Sequence, residues 1–305
     1  MRTAAGLNLS RGGDISLVVI RFLPEVNRPG LPGEVPALSL KLQPAIFLPH
    51  GGGPCFFMDW TWGPADTWHR TQRFLEGLAR CLPETPKAIV VVSAHWEEIA
   101  FTASSAASPA LIFDYSGFPE HTYRLTWPAP GEPELAARVA KLLKNARLPA
   151  AVSNSRGFDH GVFVPLKVVF PEARIPVVSL SLAASLDPAL HLAAGRALAP
   201  LRDEGVLIVG SGLSFHNLRS YFQPQTQERA RAFDAWLTRA VESPAAERDA
   251  LLTGWHEAPF AAYAHPREEH LIPLMVVAGA GSDAPGTRIF SDEPMGAAIS
   301  AYSFD

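Results

Sequence analysis

Four short, mostly apolar runs most constrain how this chain can fold, because a run without alternating polar positions must be covered on both faces. The runs are Ala45–Leu48, Ala88–Ser93, Pro176–Leu180 and Val206–Gly210, and each has the length of one β-strand. Strands buried on both faces are typical of a mainly parallel sheet with helices on either side. We therefore predict a strand at each of these positions, within one sheet.

Three amphipathic segments supply the helices that such a sheet needs. They are Glu134–Asn145, Asp187–Arg202 and Gln227–Val241. In the second segment, Asp187 is the predicted N-cap, and Pro188 occupies the first helical position. Together the runs and helices predict an α/β fold, a single-domain three-layer α/β/α sandwich around a mainly parallel, mixed sheet.

Residues 1–43 differ from the rest of the chain. The segment from Pro24 to Pro36 is rich in Pro and Gly, which indicates a linker. The apolar segment Ile15–Leu23 is predicted either as an added edge strand or as part of a partly ordered extension. It is too short to cross a bilayer and lacks the cleavage site of a secretion signal. We assign residues 1–43 to an N-terminal extension and residues 44–305 to one catalytic domain.

Charge and cysteine content narrow the class of protein. The net charge is -4, and no cluster of Lys and Arg is present, which argues against a nucleic-acid partner. The two cysteines, Cys55 and Cys81, form neither a disulfide framework nor a CxxC metal motif. We therefore expect a cytoplasmic protein with no membrane partner, present as a monomer or a homodimer.

Histidines follow several of the predicted strands. His50 and His95 come at or just after the first two runs, and His216 follows the last run. Functional residues in open α/β sheets gather beyond the carboxyl ends of the strands, so these side chains are predicted to converge. His270, before an apolar helix at Leu271–Ala278, and His160, in a glycine-flanked loop, are further candidates. A single histidine is more often structural than functional, and the prediction of a metal site depends on convergence.

Other motifs carry less information. Gly51–Gly53 fits neither the GxxxxGK[ST] nor the GxGxxG frame, so these glycines indicate a tight turn. The segment at Ser211 lacks the GxSxG spacing of a serine hydrolase. Asp59–Trp62 is interpreted as packing or as a pocket wall. The remaining histidines considered, which we interpret as surface or packing residues, are His69, His191 and His256.

Several short motifs occur in an order typical of one family. They are His50-Gly51, Ser93-Ala94-His95-Trp96, the segment from Phe113 to Glu120, Tyr123, the segment from Trp127 to Gly131, Asp159-His160-Gly161 with Pro165-Leu166, the segment from Ser211 to Leu218, Glu269-His270-Leu271 with Pro273-Leu274, and Tyr302-Ser303-Phe304. From about Pro44 to the end, the chain resembles the class III extradiol ring-cleavage dioxygenases. The similarity is to their DOPA-dioxygenase-like branch, which is related to the β subunits of protocatechuate 4,5-dioxygenase.

The resemblance implies a role for each candidate histidine. His50, His95 and His270 would hold a metal ion, either Fe(II) as the catalytic metal or Zn(II) in the same site. His216 would act as acid and base, or as a further ligand of a zinc-filled site, and His160 would contact the substrate. The sequence departs from the family pattern in the turn after the first strand. Pro49 replaces a small hydroxyl residue, and the following turn reads Gly51-Gly52-Gly53-Pro54.

The implied activity is the opening of the ring of a small aromatic diol, a catechol, by O2. Tyr115, Phe118, Tyr123 and Trp127 are predicted to line the substrate site, because flat apolar faces match a flat ring. Ordinary loop packing explains these four aromatic residues equally well.

Two alternatives stay open at the level of the sequence. A zinc hydrolase could use the same site, with Glu97, Glu98 or Glu269 as general base. A non-catalytic member of the superfamily, which binds metal or a partner, would be expected to have lost one or more metal histidines. This chain keeps all the candidates.

Overall fold

A computed structural model describes residues 42–305. The strand or extension predicted at Ile15–Leu23 and the linker from Pro24 to Pro36 lie outside the described residues. The strands are β1 (Ala45–Pro49), β2 (Ala88–Glu98), β3 (Phe101–Ser104), β4 (Ala150–Ser153), β5 (Val177–Ala183), β6 (Val206–Gly212), β7 (Thr287–Asp292) and β8 (Ile299–Phe304).

All eight strands form one mixed sheet in the order β4-β3-β5-β2-β6-β1-β8-β7. Its central strands β5, β2, β6 and β1 are mutually parallel, and they are the four strands that the apolar runs predict. β8 joins β1 in the antiparallel direction, as β7 joins β8 and β3 joins β5. The predicted mainly parallel, mixed sheet is therefore confirmed.

Helices pack on the sheet and complete the layers. The helices are α1 (His69–Leu78), α2 (Pro133–Asn145), α3 (His160–Val169), α4 (Pro188–Leu198), α5 (Pro200–Asp203), α6 (Thr226–Glu242), α7 (Ala245–Thr253), α8 (Ala261–Ala264) and α9 (Ile272–Ala280). α4 and α9 pack against each other, and α9 also contacts β6, β1 and β2. α1 and α3 form a separate pair, and α3 contacts β2 and β6. Within residues 42–305, no helix is long and apolar enough to cross a membrane.

The helix predicted at Asp187–Arg202 begins as expected but is divided in two. The Asp187 carboxylate accepts hydrogen bonds from the backbone N–H groups of Ala189 and Leu190, and Pro188 is the first helical residue. The helix breaks before Pro200, which has no N–H to continue the hydrogen-bond ladder. The second piece, α5, carries Arg202 into the core.

Arg202 ties together three parts of the chain that are distant in sequence. Its buried guanidinium donates hydrogen bonds to the backbone carbonyls of Gln43, Ala280 and Phe304. These carbonyls lie just before β1, at the end of α9 and at the end of β8. The contacts fix the C-terminal end of α9 at the amino ends of the parallel strands, the sheet edge opposite the one at which His50 lies.

Glycines let α9 approach both its partner helix and the sheet. A Cβ on Gly279 would lie 2.1 Å from the carbonyl oxygen of Leu192 in α4. On β6, a Cβ on Gly212 would lie 2.1 Å from the carbonyl oxygen of His270. A larger residue at either position would push α9 away, so these glycines set the depth at which His270 enters the site.

Candidate metal centre and cavity

Three histidines from separate elements meet beyond the carboxyl ends of the central strands. His50 directly follows β1, His95 lies near the end of β2, and His270 lies two residues before α9. One nitrogen from each ring lies within 4.8 Å of the others. The Nε2 atoms of His50 and His95 are 3.3 Å apart. The convergence expected from strand-end histidines is present for His50 and His95, and His270 joins them from the residues before a helix.

An irregularity in β2 places His95. Val92 pairs with Leu180 of β5, but Glu97 pairs with Leu182, so β2 uses extra residues over this stretch. Such a bulge bends a strand and redirects the side chains that it contains. His95 lies within the irregular stretch, and its ring therefore turns toward His50 rather than along the face of the sheet.

A tight turn and a hydroxyl group hold His50. Gly51 has φ +86°, and a Cβ there would lie 2.5 Å from Sγ of Cys55, so the turn requires glycine. Nδ1 of His50 lies 3.1 Å from Oγ of Ser211. That hydroxyl donates to the carbonyl of Gly161, which leaves its oxygen free to accept from His50. This contact leaves Nε2 of His50 as the nitrogen that faces the cluster.

The glutamate preceding His270 orients that ring. Nδ1 of His270 lies 2.8 Å from Oε1 of Glu269 and donates to it. A carboxylate that accepts from one ring nitrogen fixes the tautomer with a lone pair on the other nitrogen. Nε2 of His270 therefore offers a lone pair to the same point as His50 and His95.

The protonation state of the cluster suits a cation. Burial, together with the neighbouring histidines, lowers the pKa of His50 and of His270 well below the usual value. Burial also lowers the pKa of His95 to about 3. Three neutral imidazoles with converging nitrogens form the ligand set that divalent transition metals prefer. The residues present therefore fit a metal ion.

Asp114 connects His95 with a fourth histidine, His160. Oδ1 of Asp114 accepts from both Nδ1 and the backbone N–H of His160, each at 2.9 Å. Its other oxygen lies 3.8 Å from Nδ1 of His95. Burial favours a raised pKa for the Asp114 carboxyl, but hydrogen bonds and charge from His160 outweigh it and lower the pKa. The carboxylate stays ionised and keeps His160 oriented.

His160 owes its position to the start of α3. Asp159 caps this helix by accepting from the backbone N–H of Val162. The Asp159 carboxylate also accepts from Oγ of Ser93 at 2.7 Å and from Arg156 at 2.7 Å. These contacts join the first turn of α3 to the end of β2, which brings the rings of His160 and His95 to a centroid distance of 3.9 Å.

His216 occupies the corresponding place beside His270. The two rings stack with a centroid distance of 3.4 Å, and Nδ1 of His216 lies 3.3 Å from Oε1 of Glu269. Burial favours a raised pKa for Glu269, but the hydrogen bond from His216 and the nearby Arg267 lower it overall. Glu269 thus accepts from two histidines through one oxygen.

A cavity of about 490 Å³ opens above the cluster. All five candidate histidines line it, as do Tyr115 and Phe118. Its other aromatic walls are Trp60, Trp62, Trp68, Tyr221 and Phe222. The interpretation of Asp59–Trp62 as packing or pocket wall therefore applies to two of its residues.

Two of the aromatic residues predicted at the substrate site lie behind the cavity wall. The hydroxyl of Tyr123 accepts from the backbone N–H of Phe118, and its ring packs on Tyr115 at 5.2 Å. Trp127 is buried against Phe158 and donates to the carbonyl of Phe170. Tyr123 supports a residue that lines the cavity, whereas Trp127 packs within the core.

The three histidines interpreted as surface or packing residues have other surroundings. His191 is buried, and both ring nitrogens are bonded, one to the backbone N–H of Ala183 and one to the carbonyl of Asp187. His256 is exposed beside Glu257, and His69 begins α1. The difference between His191 and the clustered histidines lies in the second ring nitrogen, which in the cluster has no backbone partner.

The carboxylates considered for a hydrolase are all engaged. Glu97 forms a bidentate pair with Arg267, with both distances 2.6 Å. Glu98 accepts from the indole N–H of Trp96, and Glu269 accepts from His270. Both oxygens of Glu97 are therefore bonded, whereas Glu98 and Glu269 each use one carboxylate oxygen in these contacts.

Sequence reasoning missed Asp114, Ser211 and most of the cavity wall. Asp114 lies in a coil segment, and the sequence motif from Phe113 to Glu120 gives it no role of its own. The glycines and tryptophans concentrated between Gly51 and Trp68 were the sequence signal that could have indicated the cavity wall.

Comparisons with known proteins agree on the chemistry. Residues 44–304 match the family model described as the catalytic LigB subunit of aromatic ring-opening dioxygenase. A dioxygenase named tasH from Hapsidospora irregularis is 39% identical over 86% of this chain and 86% of its own length. A 4,5-DOPA dioxygenase extradiol from Beta vulgaris is 37% identical over 77% of this chain and 88% of its own.

One solved structure extends the comparison to the fold. The crystal structure of an uncharacterized protein from Escherichia coli K12 superposes with a TM-score of 0.66 at 31% sequence identity. The match covers 86% of this chain and 100% of the other.

Proposed function

Since the chain belongs to the LigB family of aromatic ring-opening dioxygenases, as an extradiol ring-cleavage dioxygenase of the DOPA-dioxygenase-like branch, we propose that it opens a catechol at the five-histidine cluster. The observation that carries this proposal is the convergence of His50, His95 and His270 at the base of an aromatic-walled cavity. The three neutral imidazoles hold the metal ion in this proposal. Fe(II) is the catalytic metal, and Zn(II) fits the same ligands.

A bound ion of this kind would bring the two catechol oxygens and O2 together and lower the pKa of the catechol hydroxyls. The chain's own residues then bind, orient and exchange protons. O2 is consumed, both of its atoms enter the product, and the ring bond beside one hydroxyl breaks to leave an aldehyde and a carboxylate.

His216 is the proton carrier in this scheme. Its Nδ1 donates to Glu269, so Nε2 carries the lone pair and can accept a proton from a catechol hydroxyl. Proton uptake creates a positive charge that the Glu269 carboxylate stabilises. The same nitrogen can return the proton as the ring opens.

His160 positions the substrate on the opposite side. Asp114 holds Nδ1 of His160, so Nε2 is directed to the cavity and accepts from, or donates to, an oxygen there. Tyr115 and Phe118 supply flat faces for the ring. The ring of Tyr115 lies 5.8 Å from that of His160, which places an aromatic wall beside the polar contact.

The hydrolase alternative receives no support from the geometry. It needs a carboxylate that acts on water, and Glu97, Glu98 and Glu269 each already accept a hydrogen bond from another side chain. An aromatic cavity also suits a flat ring better than a hydrolytic water.

The test is O2 consumption with a panel of catechols after anaerobic loading with Fe(II). We expect O2 uptake matched one to one by a yellow ring-opened product. His216→Ala should lower kcat by ~10²–10⁴-fold, the usual contribution of general acid–base catalysis. His256→Ala, which removes an exposed histidine outside the cluster and the cavity wall, is the matched control and should retain activity.

Failure of O2 uptake with every catechol, in protein shown to hold Fe(II), would overturn the proposal. Loading with Zn(II) in a parallel sample separates metal binding from turnover. Zinc-loaded protein should bind catechols without consuming O2, since zinc has no redox chemistry.

A further inference from the structure

The outer part of the cavity is apolar and exposed. Trp62, Leu218 and Phe222 line the cavity, and each is more than half exposed to solvent. We call these three residues the mouth. Large apolar side chains that are exposed together indicate a binding surface, whereas scattered ones do not.

Two of the mouth residues, Trp62 and Phe222, come from segments that are distant in sequence and pack together. The ring of Phe222 lies 3.2 Å from where a Cβ on Gly63 would be, so Phe222 packs on the residue after Trp62. The ring of Trp62 lies 5.3 Å from that of Phe118, deeper in the cavity. The aromatic surface therefore runs without interruption from the mouth toward the histidines.

The cavity is larger than a catechol requires. An apolar cavity of about 150 Å³ holds benzene, whereas this one measures about 490 Å³. A single ring bound at the histidines would therefore leave part of the cavity empty. The residues that line the cavity include the mouth and Met295.

Charged side chains do not line this space. Among the described residues, the cavity wall contains no Arg, Lys, Asp or Glu. Arg156, the cation beside His95, is bonded to Asp159 and stacks on Trp96 at 4.9 Å. Arg267 is paired with Glu97. Arg219 follows Leu218 but lines a neighbouring depression.

From the apolar mouth, the spare volume and the uncharged wall, we propose that the substrate is a catechol with a bulky, uncharged apolar substituent. The inference rests on the proposed function, because it assumes that the diol binds at the histidine cluster. The substituent lies along the mouth, against Trp62, Leu218 and Phe222. A catechol with an amino-acid side chain, such as DOPA, would find no oppositely charged side chain on this wall for either of its charges.

Two readouts test the proposal on the full chain. The first is anaerobic quenching of tryptophan fluorescence, since Trp60, Trp62 and Trp68 line the cavity. The second is kcat/KM from O2 uptake. The probes are ethylcatechol, butylcatechol and L-DOPA. Each buried methylene should strengthen binding about fourfold, so butylcatechol should bind about 16-fold tighter than ethylcatechol, and L-DOPA should bind more weakly than either.

A matched pair of variants locates the substituent. Phe222→Asn should reduce the gain from ethylcatechol to butylcatechol, whereas Phe260→Asn should leave that gain intact. Both phenylalanines are exposed and have positive φ, +65° and +59°, a backbone conformation that asparagine tolerates. Phe260 does not line the cavity.

The outcomes separate this inference from the proposed function. O2 uptake with equal affinity for ethylcatechol and butylcatechol, or with preference for L-DOPA, overturns the inference and leaves the dioxygenase intact. If the preference for L-DOPA disappears in Arg219→Gln, the recognition is charge-based. Fluorescence in the expected order without O2 uptake supports the apolar site and overturns the proposed reaction.

Discussion

The candidate metal centre has two halves that contain the same kinds of residue at different distances from each other. In the first half, Asp114 joins His95 and His160, and in the second half, Glu269 joins His270 and His216. Each half therefore contains one histidine that can bind a metal, one flanking histidine and one carboxylate.

The two carboxylates differ in which histidine lies closer to them. Asp114 lies 2.9 Å from the flanking His160 but 3.8 Å from His95. Glu269 lies 2.8 Å from His270, the candidate metal ligand, and 3.3 Å from the flanking His216. Because a carboxylate bonded to a ligand histidine strengthens metal binding, we expect Glu269 to act mainly on metal retention and Asp114 mainly on substrate orientation.

The largest expected effect distinguishes a metal-binding histidine from a flanking one. His270→Ala should remove most of the bound Fe(II) and with it all measurable turnover. His160→Ala should retain the metal and lower kcat/KM by ~10²-fold or more, because substrate positioning is lost. Metal content by atomic emission, with O2 uptake on the same samples, measures both effects. Equal metal loss in the two variants would break the distinction.

The two carboxylates provide the next test. Glu269→Gln should weaken metal affinity about 10–100-fold, the usual effect of removing a carboxylate that orients a ligand histidine. Asp114→Asn should leave metal affinity nearly unchanged and lower kcat/KM. Competition with a metal chelator measures affinity, and the two amides match each other as controls. The reverse ranking would show that Asp114, despite its longer contact with His95, is the carboxylate that retains the metal.

A smaller effect concerns a buried histidine outside both halves. Burial lowers the pKa of His191 to about 4, below its ordinary value of 6.5. Between those two values the unfolded chain binds a proton that the folded chain does not, so stability falls as the pH drops, by up to ~1.4 kcal/mol per pH unit. His191→Gln should reduce this slope by up to one proton while leaving metal content unchanged. Urea unfolding of the metal-free protein at pH 5, 6 and 7 measures the slope, and an unchanged slope would contradict the assignment.

The smallest expected effect concerns Arg267, which lies beside Glu269. Arg267 is half-exposed and lies 3.5 Å from Glu269, although its bidentate contact is with Glu97. Arg267→Gln should change the free energy of unfolding by less than about 1 kcal/mol, as for most exposed ion pairs. Metal affinity should change far less than in Glu269→Gln. An equal loss in both variants would mean that Arg267, rather than the histidines, sets the charge state of Glu269.

The sequence predicted the centre of the sheet but none of its outer strands. The apolar runs of β1, β2, β5 and β6 are buried on both faces and therefore visible as continuous patterns. β4 and β7 are largely exposed edge strands and carry no such pattern. β8 is buried, but its serines and tyrosine obscure the apolar run, because its polar groups find partners such as Asp234 only in the folded protein.

The candidate site also contains residues that the sequence could predict and residues that it could not. Histidines at strand ends could be predicted because strand direction alone brings them to one edge. Asp114 could not, since its role depends on a coil segment folding back onto the start of α3, far along the chain. Trp62 and Phe222 line one mouth only because two distant loops meet, and nothing local in either loop indicates this.

The order of the three proposed ligands along the chain has a consequence for how the site is assembled. His50 and His95 leave the ribosome before β5, β6 and α6 are made, whereas His270 follows all three. A nascent chain therefore offers two imidazoles throughout that interval and gains the third only when α9 can dock on the sheet. In the proposed site, metal capture waits for His270, and a full complement of metal reports that α9 has docked.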